Sequence, residues 1–297
     1  MSDRPVVVSR FGLLALVTCL TLFISPRESG AQESVRLELG GSPGDWLLYN
    51  HRNDLVVDLP ADLGGSATTR TTIRLRQLVE TVTEDAIGFV TTLEEVSLDV
   101  RPPPAEFPDL TGIQGLRFHH TASRAGRTLS LTLPGQTSEV GPGLLEQVEN
   151  WLSQLGFPPL PGEVVEVGDE WSQTVPVPAA ALGLAVDYDV VQTRKVRLTE
   201  IRSAGGSKVA FLAVTTTWEP SSDPSGKGGG VVSLRGTADQ TVRFDTRRGR
   251  FLGSTGVSKL ELVLTPEGTA QYVAVSAEGR QITDLTASSD ADSGLRE

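Results

Sequence analysis

The chain is 297 residues long, with 26 basic against 37 acidic side chains and a net charge of −11. So acidic a protein is not drawn to nucleic acid or anionic lipid surfaces by long-range attraction. Its one cysteine, Cys19, excludes a disulfide framework, and 31 glycines with 18 prolines favour tight turns over long helices.

The first segment reads as a secretory signal. Arg4 and Arg10 make a basic start, Phe11–Ser25 is apolar, and Ser29-Gly30-Ala31 offers small residues for cleavage. The apolar run falls short of the ~20 residues that span a membrane. Leu16-Val17-Thr18-Cys19 is close to a lipoprotein box, but Thr18 suits it poorly and apolar residues continue past it. Ordinary cleavage after Ala31 is therefore expected over lipid anchoring. It would remove Cys19 and a net of +1, leaving a charge of −12, no thiol chemistry and no transmembrane segment. The expected destination is the periplasm or the exterior.

Beyond the leader the pattern is strand after strand. Val35–Leu39 alternates, and the turn Ser42-Pro43-Gly44-Asp45 feeds an extended Trp46–Leu59. In Thr71–Val82, Ile73 and Leu75 share one face while Arg74 and Arg76 take the other. Leu78-Val79 breaks that phase and predicts a bulge near Gln77. Glu84-Asp85-Ala86 turns into Ile87–Val100, which ends at Pro102-Pro103-Pro104 because proline cannot donate to a ladder. Leu110–Leu133 reads as further strands, turning at Ser123–Gly126.

Residues 141–162 interrupt this regime. Leu144, Leu145, Val148, Trp151, Leu152 and Leu155 recur at helical spacing and form one apolar stripe. Pro142 suits the first turn, Gly156 the left-handed end, and Pro158, Pro159 and Pro161 stop any continuation. An amphipathic helix followed by a proline hinge is expected, either as a fixed cover on a sheet or as a lid.

Strands then resume at Val186–Ile201, turn at Ala204–Ser207, and return along Val209–Trp218. That return strand is apolar at both parities, which predicts burial on both faces. Ser221–Gly230 is a glycine-rich loop. Val231–Leu234, Thr241–Phe244, Phe251–Leu264 and Ala270–Ala277 follow as strands, and the polar tail from Thr283 is expected to be disordered.

The two strand-rich halves share landmarks. Gly44-Asp45-Trp46 answers Gly168-Asp169-Glu170-Trp171, Glu84-Asp85-Ala86 answers Ala204–Ser207, and Arg124-Ala125-Gly126-Arg127 answers Arg248-Gly249-Arg250. Together with the Asp245-Thr246-Arg247-Arg248-Gly249-Arg250 turn, this pattern resembles a group of uncharacterised secreted bacterial proteins. It resembles, more distantly, the half-barrel of the periplasmic lipoprotein carrier LolA and its mycobacterial relatives, over about residues 35–280. The resemblance implies an antiparallel sheet curled around helices, with a concave side able to hold acyl chains, and it brings no catalytic residue. The expected class is mainly β (α+β): a duplicated antiparallel curled sheet or half-barrel with one central amphipathic helix. Its expected parts are a β-rich half at 32–140, the helix and hinge at 141–162, a second half at 163–282 and a tail at 283–297.

Chemistry-bearing motifs are sparse. His119 and His120 are adjacent on a strand and should face apart, so they do not make a chelating pair. No Gly-x-Ser-x-Gly elbow occurs, and Gly226–Gly230 with Lys227 lacks the phosphate-loop order. The pairs Glu94-Glu95, Glu84-Asp85 and Asp169-Glu170 sit in turns or face apart along strands. No metal, cofactor or enzymatic activity is expected. The leading expectation is an exported, non-enzymatic protein that binds a hydrophobic or amphiphilic, lipid-like ligand between sheet and helix. Leu144, Val148, Trp151, Leu155 and Phe211 are its candidate ligand contacts. The alternative is an envelope scaffold with a filled core and a protein partner; a secreted hydrolase ranks third.

Overall fold

Alternating apolar and polar residues generate strands, and glycine-bearing turns between them return each strand beside its predecessor. The computed structural model describes residues 33–61, 65–103, 113–133, 158–178, 189–204, 206–220, 230–265 and 273–289. Its strands are β1 Ser34–Arg36, β2 Trp46–Asp58, β3 Ser66–Val82, β4 Ala86–Arg101, β5 Arg117–Ser123, β6 Thr128–Thr132 and β7 Val164–Glu166. They continue with β8 Glu170–Pro178, β9 Asp189–Ala204, β10 Ser207–Pro220, β11 Gly230–Asp245, β12 Arg250–Thr265 and β13 Val273–Ser288.

The fold is mainly β. Eleven strands form one antiparallel sheet in the order β6-β5-β4-β3-β2-β13-β12-β11-β10-β9-β8, and β1 pairs with β7 separately. Sequential hairpins account for most of this order; the exception is β13, which lies between β12 and β2 and joins the halves. Among the described residues the sheet is not closed, and β6 and β8 are its edges.

Nevertheless it bends. Leu39 N–H donates to the Arg124 carbonyl in the β5–β6 turn at 2.7 Å, and the next residue, Gly40, donates to the Gly249 carbonyl in the β11–β12 turn at 2.8 Å. Adjacent residues hold those carbonyls within roughly 10 Å of each other. In a flat sheet β5 and β12, five positions apart, would be separated by about 24 Å. The main core shows the same convergence. Ile87, Phe89 and Ala122 from one wing share a cluster with Leu198, Leu212 and Phe244 from the other, joined through Val35, Leu37, Leu39, Leu160 and Val165. The β1–β7 segment thus plugs one end of the bent sheet.

Two turns that enter the halves have the same hydrogen bonds. The Asp45 carboxylate accepts the Ser42 N–H at 2.8 Å, and the Asp169 carboxylate accepts the Glu166 N–H at 2.9 Å. Gly44 donates to Val79 O and Val79 donates to Asp45 O; Gly168 and Leu198 exchange the corresponding bonds with Leu198 O and Asp169 O. Gly44 and Gly168 both have positive φ, 95° and 107°, which glycine accommodates without strain.

Several sequence expectations need correction. Val231–Leu234 and Thr241–Phe244 are not separate strands but parts of the continuous β11. Thr283–Ser288 is not a disordered tail: it completes β13 and pairs with His51 through Leu47 of β2. Its polar composition misled because backbone pairing, not apolar side chains, holds it. Gln77 lies in register between two irregularities, at Arg74/Leu75 and Val79/Thr81, and occupies a buried position in phase with Leu75 and Val79. In β10 one face is buried, at Ala210, Leu212, Val214 and Thr216, while Val209 and Phe211 are half-buried and Ala213 is exposed. Burial on both faces does not hold; Phe211 is covered by the Arg202 guanidinium, 4.5 Å from its ring centroid. The leader at 1–31, the helix over 141–155 and the loop at 221–229 lie outside the described residues.

Candidate functional site

The two faces of the sheet differ in chemistry. The outer face carries ion pairs: Arg70 with Asp54 at 2.6 Å, Arg202 with Glu200 at 2.6 Å, Arg243 with Asp284 at 2.8 Å and Lys259 with Glu278 at 2.9 Å. All are solvent-exposed and each contributes little to stability. An open groove on this face is lined by Ala213, Thr215, Asp239, Thr241, Val257 and Arg280.

The inner face is apolar at the plugged end and mixed beyond it. Around the plug, Leu37, Ile87, Leu198, Leu212 and Phe244 are essentially inaccessible to solvent. A second cluster, at Leu47, Tyr49, Ile73, Leu75, Leu93 and Phe118, fills the β2–β5 wing. Farther from the plug the half-buried apolar positions Leu55, Val57, Leu98, Val100, Leu260 and Leu262 share the inner face with polar Asn53, Thr69, Thr71, Ser258 and Gln281. Leu260, Leu262 and Trp218 pack on the small cluster of Val190 and Leu234. That wall is the candidate site.

Polar groups interrupt the wall on the β8–β10 side. The register places Arg194 between Gln173 of β8 and Thr216 of β10, and sets Gln192 opposite Trp218. Gln192 and Thr216 are buried. Desolvation holds the Arg194 guanidinium below its ordinary pKa. The Trp218 indole Nε1 is buried with no hydrogen-bond partner among the described residues. The named inner positions of β8 to β11 carry no acidic side chain.

The histidines face apart as expected. His119 is exposed and 3.2 Å from Glu80, whereas His120 stacks on Phe89 with centroids 4.8 Å apart. Burial pushes both His120 and His51 down to about 4; His51 Nδ1 lies 2.9 Å from the Thr283 hydroxyl. Neutral imidazoles buried in this way are core residues. No group of three or more His, Cys, Asp or Glu side chains suited to a metal ion occurs among the described residues.

With this geometry the fold can be compared. It is similar to part of lipovitellin. The match, to a structure reported for lipid–protein interactions in lipovitellin, has a TM-score of 0.50 at 14% identity and covers 83% of this chain. The chain spans only 25% of the lipovitellin chain, so the likeness shows a shared fold and nothing more. The match to a LolA superfamily protein from Nitrosomonas europaea, at 8% identity, covers 84% of this chain and 87% of that one, at a TM-score of 0.17. The translocator domain of the autotransporter NalP from Neisseria meningitidis covers 82% and 89%, at 10% identity and the same score. Scores that low carry no argument. No family model and no curated protein matches the sequence. No described helix is long and apolar enough to cross a membrane, which leaves membrane-spanning strands unaddressed.

Of the sequence-selected ligand contacts, Leu144, Val148, Trp151 and Leu155 lie outside the described residues. Phe211 falls on the outer face beneath Arg202, away from the half-buried apolar wall. Sequence reading missed Leu55, Leu98, Leu260, Leu262, Arg194 and Trp218 as one surface. Alternation gave each residue its face, but only the strand order brings β4, β2, β12 and β10 to the same side.

Trp46 and Trp171 act as anchors at the strand starts. Arg76 stacks over Trp46 at 4.6 Å, and the Trp171 indole N–H donates to the Pro159 carbonyl at 2.6 Å. That second bond ties β8 to the proline segment, whose Leu160 is buried in the main core and donates to the Ala125 carbonyl at 2.9 Å.

Proposed function

We propose that this is an exported, non-enzymatic protein that binds a hydrophobic or amphiphilic, lipid-like molecule against the inner face of its bent sheet. The observation that carries the reading is the half-buried apolar wall at Leu55, Val57, Leu98, Val100, Leu260 and Leu262. A sheet whose inner face is sealed needs one plug, and the β1–β7 segment supplies it at one end. Beyond the plug the apolar surface exceeds what the described chain covers. The fold likeness to lipovitellin, a protein reported for its interactions with lipid, supports the same reading. The matching turns at Asp45 and Asp169 support a duplicated architecture, with a half-barrel built from two related sets of strands. The leader sequence supports export.

The alternative, a scaffold with a filled core, differs in what wall substitutions do. Leu98→Asn and Leu262→Asn should each abolish uptake of a fluorescent fatty-acid probe while changing the urea midpoint little. A core-filling role predicts the reverse: no uptake by the unmodified protein, and a loss of about 2–5 kcal/mol in each variant.

A further inference from the structure

A guanidinium and an indole N–H, both donors only, distinguish one patch of the inner wall. Arg194 offers only N–H donors, and its neighbours across the ladders are Gln173 and Thr216, not carboxylates. No carboxylate among the described residues forms an ion pair with it, although the outer face pairs its arginines freely. Thr216 is buried opposite it. Two residues along the same strand and on the same face, the Trp218 Nε1 donor is buried and unsatisfied. A buried indole N–H without an acceptor is unfavourable, and a partly buried guanidinium without a counter-charge is unfavourable too. These two observations are independent: the indole calls for an acceptor, and the guanidinium calls for that acceptor to carry negative charge. Apolar Val190, Leu234, Leu260 and Leu262 continue from the patch on the same face. The arrangement therefore has a charged spot at one end and a hydrocarbon-compatible wall beside it.

We propose that Arg194, Thr216 and Trp218 form the head-group subsite of the wall, taking the oxyanion of a long-chain anionic amphiphile whose chain lies along Leu260 and Leu262. This rests on the ligand-binding reading above and narrows it from any hydrophobic molecule to an acidic one. The guanidinium binds the oxyanion through charge-assisted N–H donors, and the indole and hydroxyl complete its shell. The chain's net charge of −11 opposes long-range capture of such a ligand, so selectivity comes from the local site.

The test uses oleate, oleyl alcohol and acetate as probes of the full protein, read by calorimetry and tryptophan fluorescence. Oleate should bind at least 10-fold more tightly than oleyl alcohol, and acetate should neither bind nor compete at millimolar levels. Arg194→Gln should weaken oleate by roughly 10- to 100-fold and leave oleyl alcohol unchanged; Arg194→Lys should retain part of the oleate preference. Trp218→Phe, which keeps the ring and deletes the donor, should weaken oleate alone. Urea melts of each variant separate lost binding from lost folding. Equal affinity for oleate and oleyl alcohol, or an oleate affinity indifferent to Arg194→Gln, overturns the head-group assignment and leaves the wall as a hydrophobic site. Binding of acetate as strong as that of oleate overturns it in favour of a free-anion site. Failure of both long-chain probes to bind overturns the ligand-binding reading itself; a concurrent loss of stability in Arg194→Gln then assigns the side chain to packing within the sheet.

Discussion

At the scale of single residues, the informative groups are those buried against their chemistry. His51 and His120 are both pushed down to about 4 by burial, below the ordinary histidine value of 6.5. Between those values the unfolded chain binds protons that the folded chain does not, so stability rises with pH across that window. It is complete above about 6.5 and is lost as pH falls towards 4. Each shift corresponds to roughly 3 kcal/mol as an upper bound. His51→Asn, which keeps a polar group near the Thr283 hydroxyl, should flatten the urea-midpoint profile between pH 6.5 and 4; an unchanged slope would contradict the burial account. None of this was legible in the sequence, where His51 sat in an extended segment with no sign of which face was closed. The opposed faces of His119 and His120 were legible, because strand alternation alone decides them.

At the scale of elements, the hairpin tips matter most. Asp245, at the β11–β12 turn, is buried, yet its carboxyl lies below the ordinary value. Desolvation raises it, but the Ser207 hydroxyl at 2.5 Å and the N–H groups of Arg248 and Arg247 at 3.1 Å outweigh that. It therefore ties its own turn to the β9–β10 turn. Asp245→Asn should lower stability at neutral pH by about 1–3 kcal/mol, and the deficit should shrink as pH falls through the carboxylate range, where the native charge is lost. Gly249 has φ of 62°, and a Cβ there would meet the Glu38 carbonyl oxygen at 2.7 Å and the backbone of Gly40. Gly249→Ala should cost more than the ~1 kcal/mol typical of a left-handed position, because the obstacle is backbone. A thermal melt within a degree of the parent would refute the close packing of this tip on the plug. The strand periods and this turn were legible because their chemistry is local. The continuity of β11 and the extent of β13 were not, since pairing with β12 and β2 decides them.

At the scale of the whole molecule, the sequence disclosed a β-rich chain but not its strand order. The eleven-stranded order depends on β13 inserting beside β2, a contact between residues more than 200 positions apart that no periodicity encodes. The outward placement of Phe211 was not legible for the same reason: both parities of β10 are apolar in sequence, and only the bend of the sheet says which one faces inward. The bend also explains how a chain with few aromatics builds a core, since one short plug serves both wings. The central claim is that the apolar wall beyond that plug holds a ligand. Native mass spectrometry of the protein purified under mild conditions tests this most directly. The account predicts a reproducible excess mass of lipid size, removed by organic extraction and restored by adding an anionic amphiphile. A clean apo mass that takes up no added amphiphile would contradict it and leave the filled-core scaffold in its place.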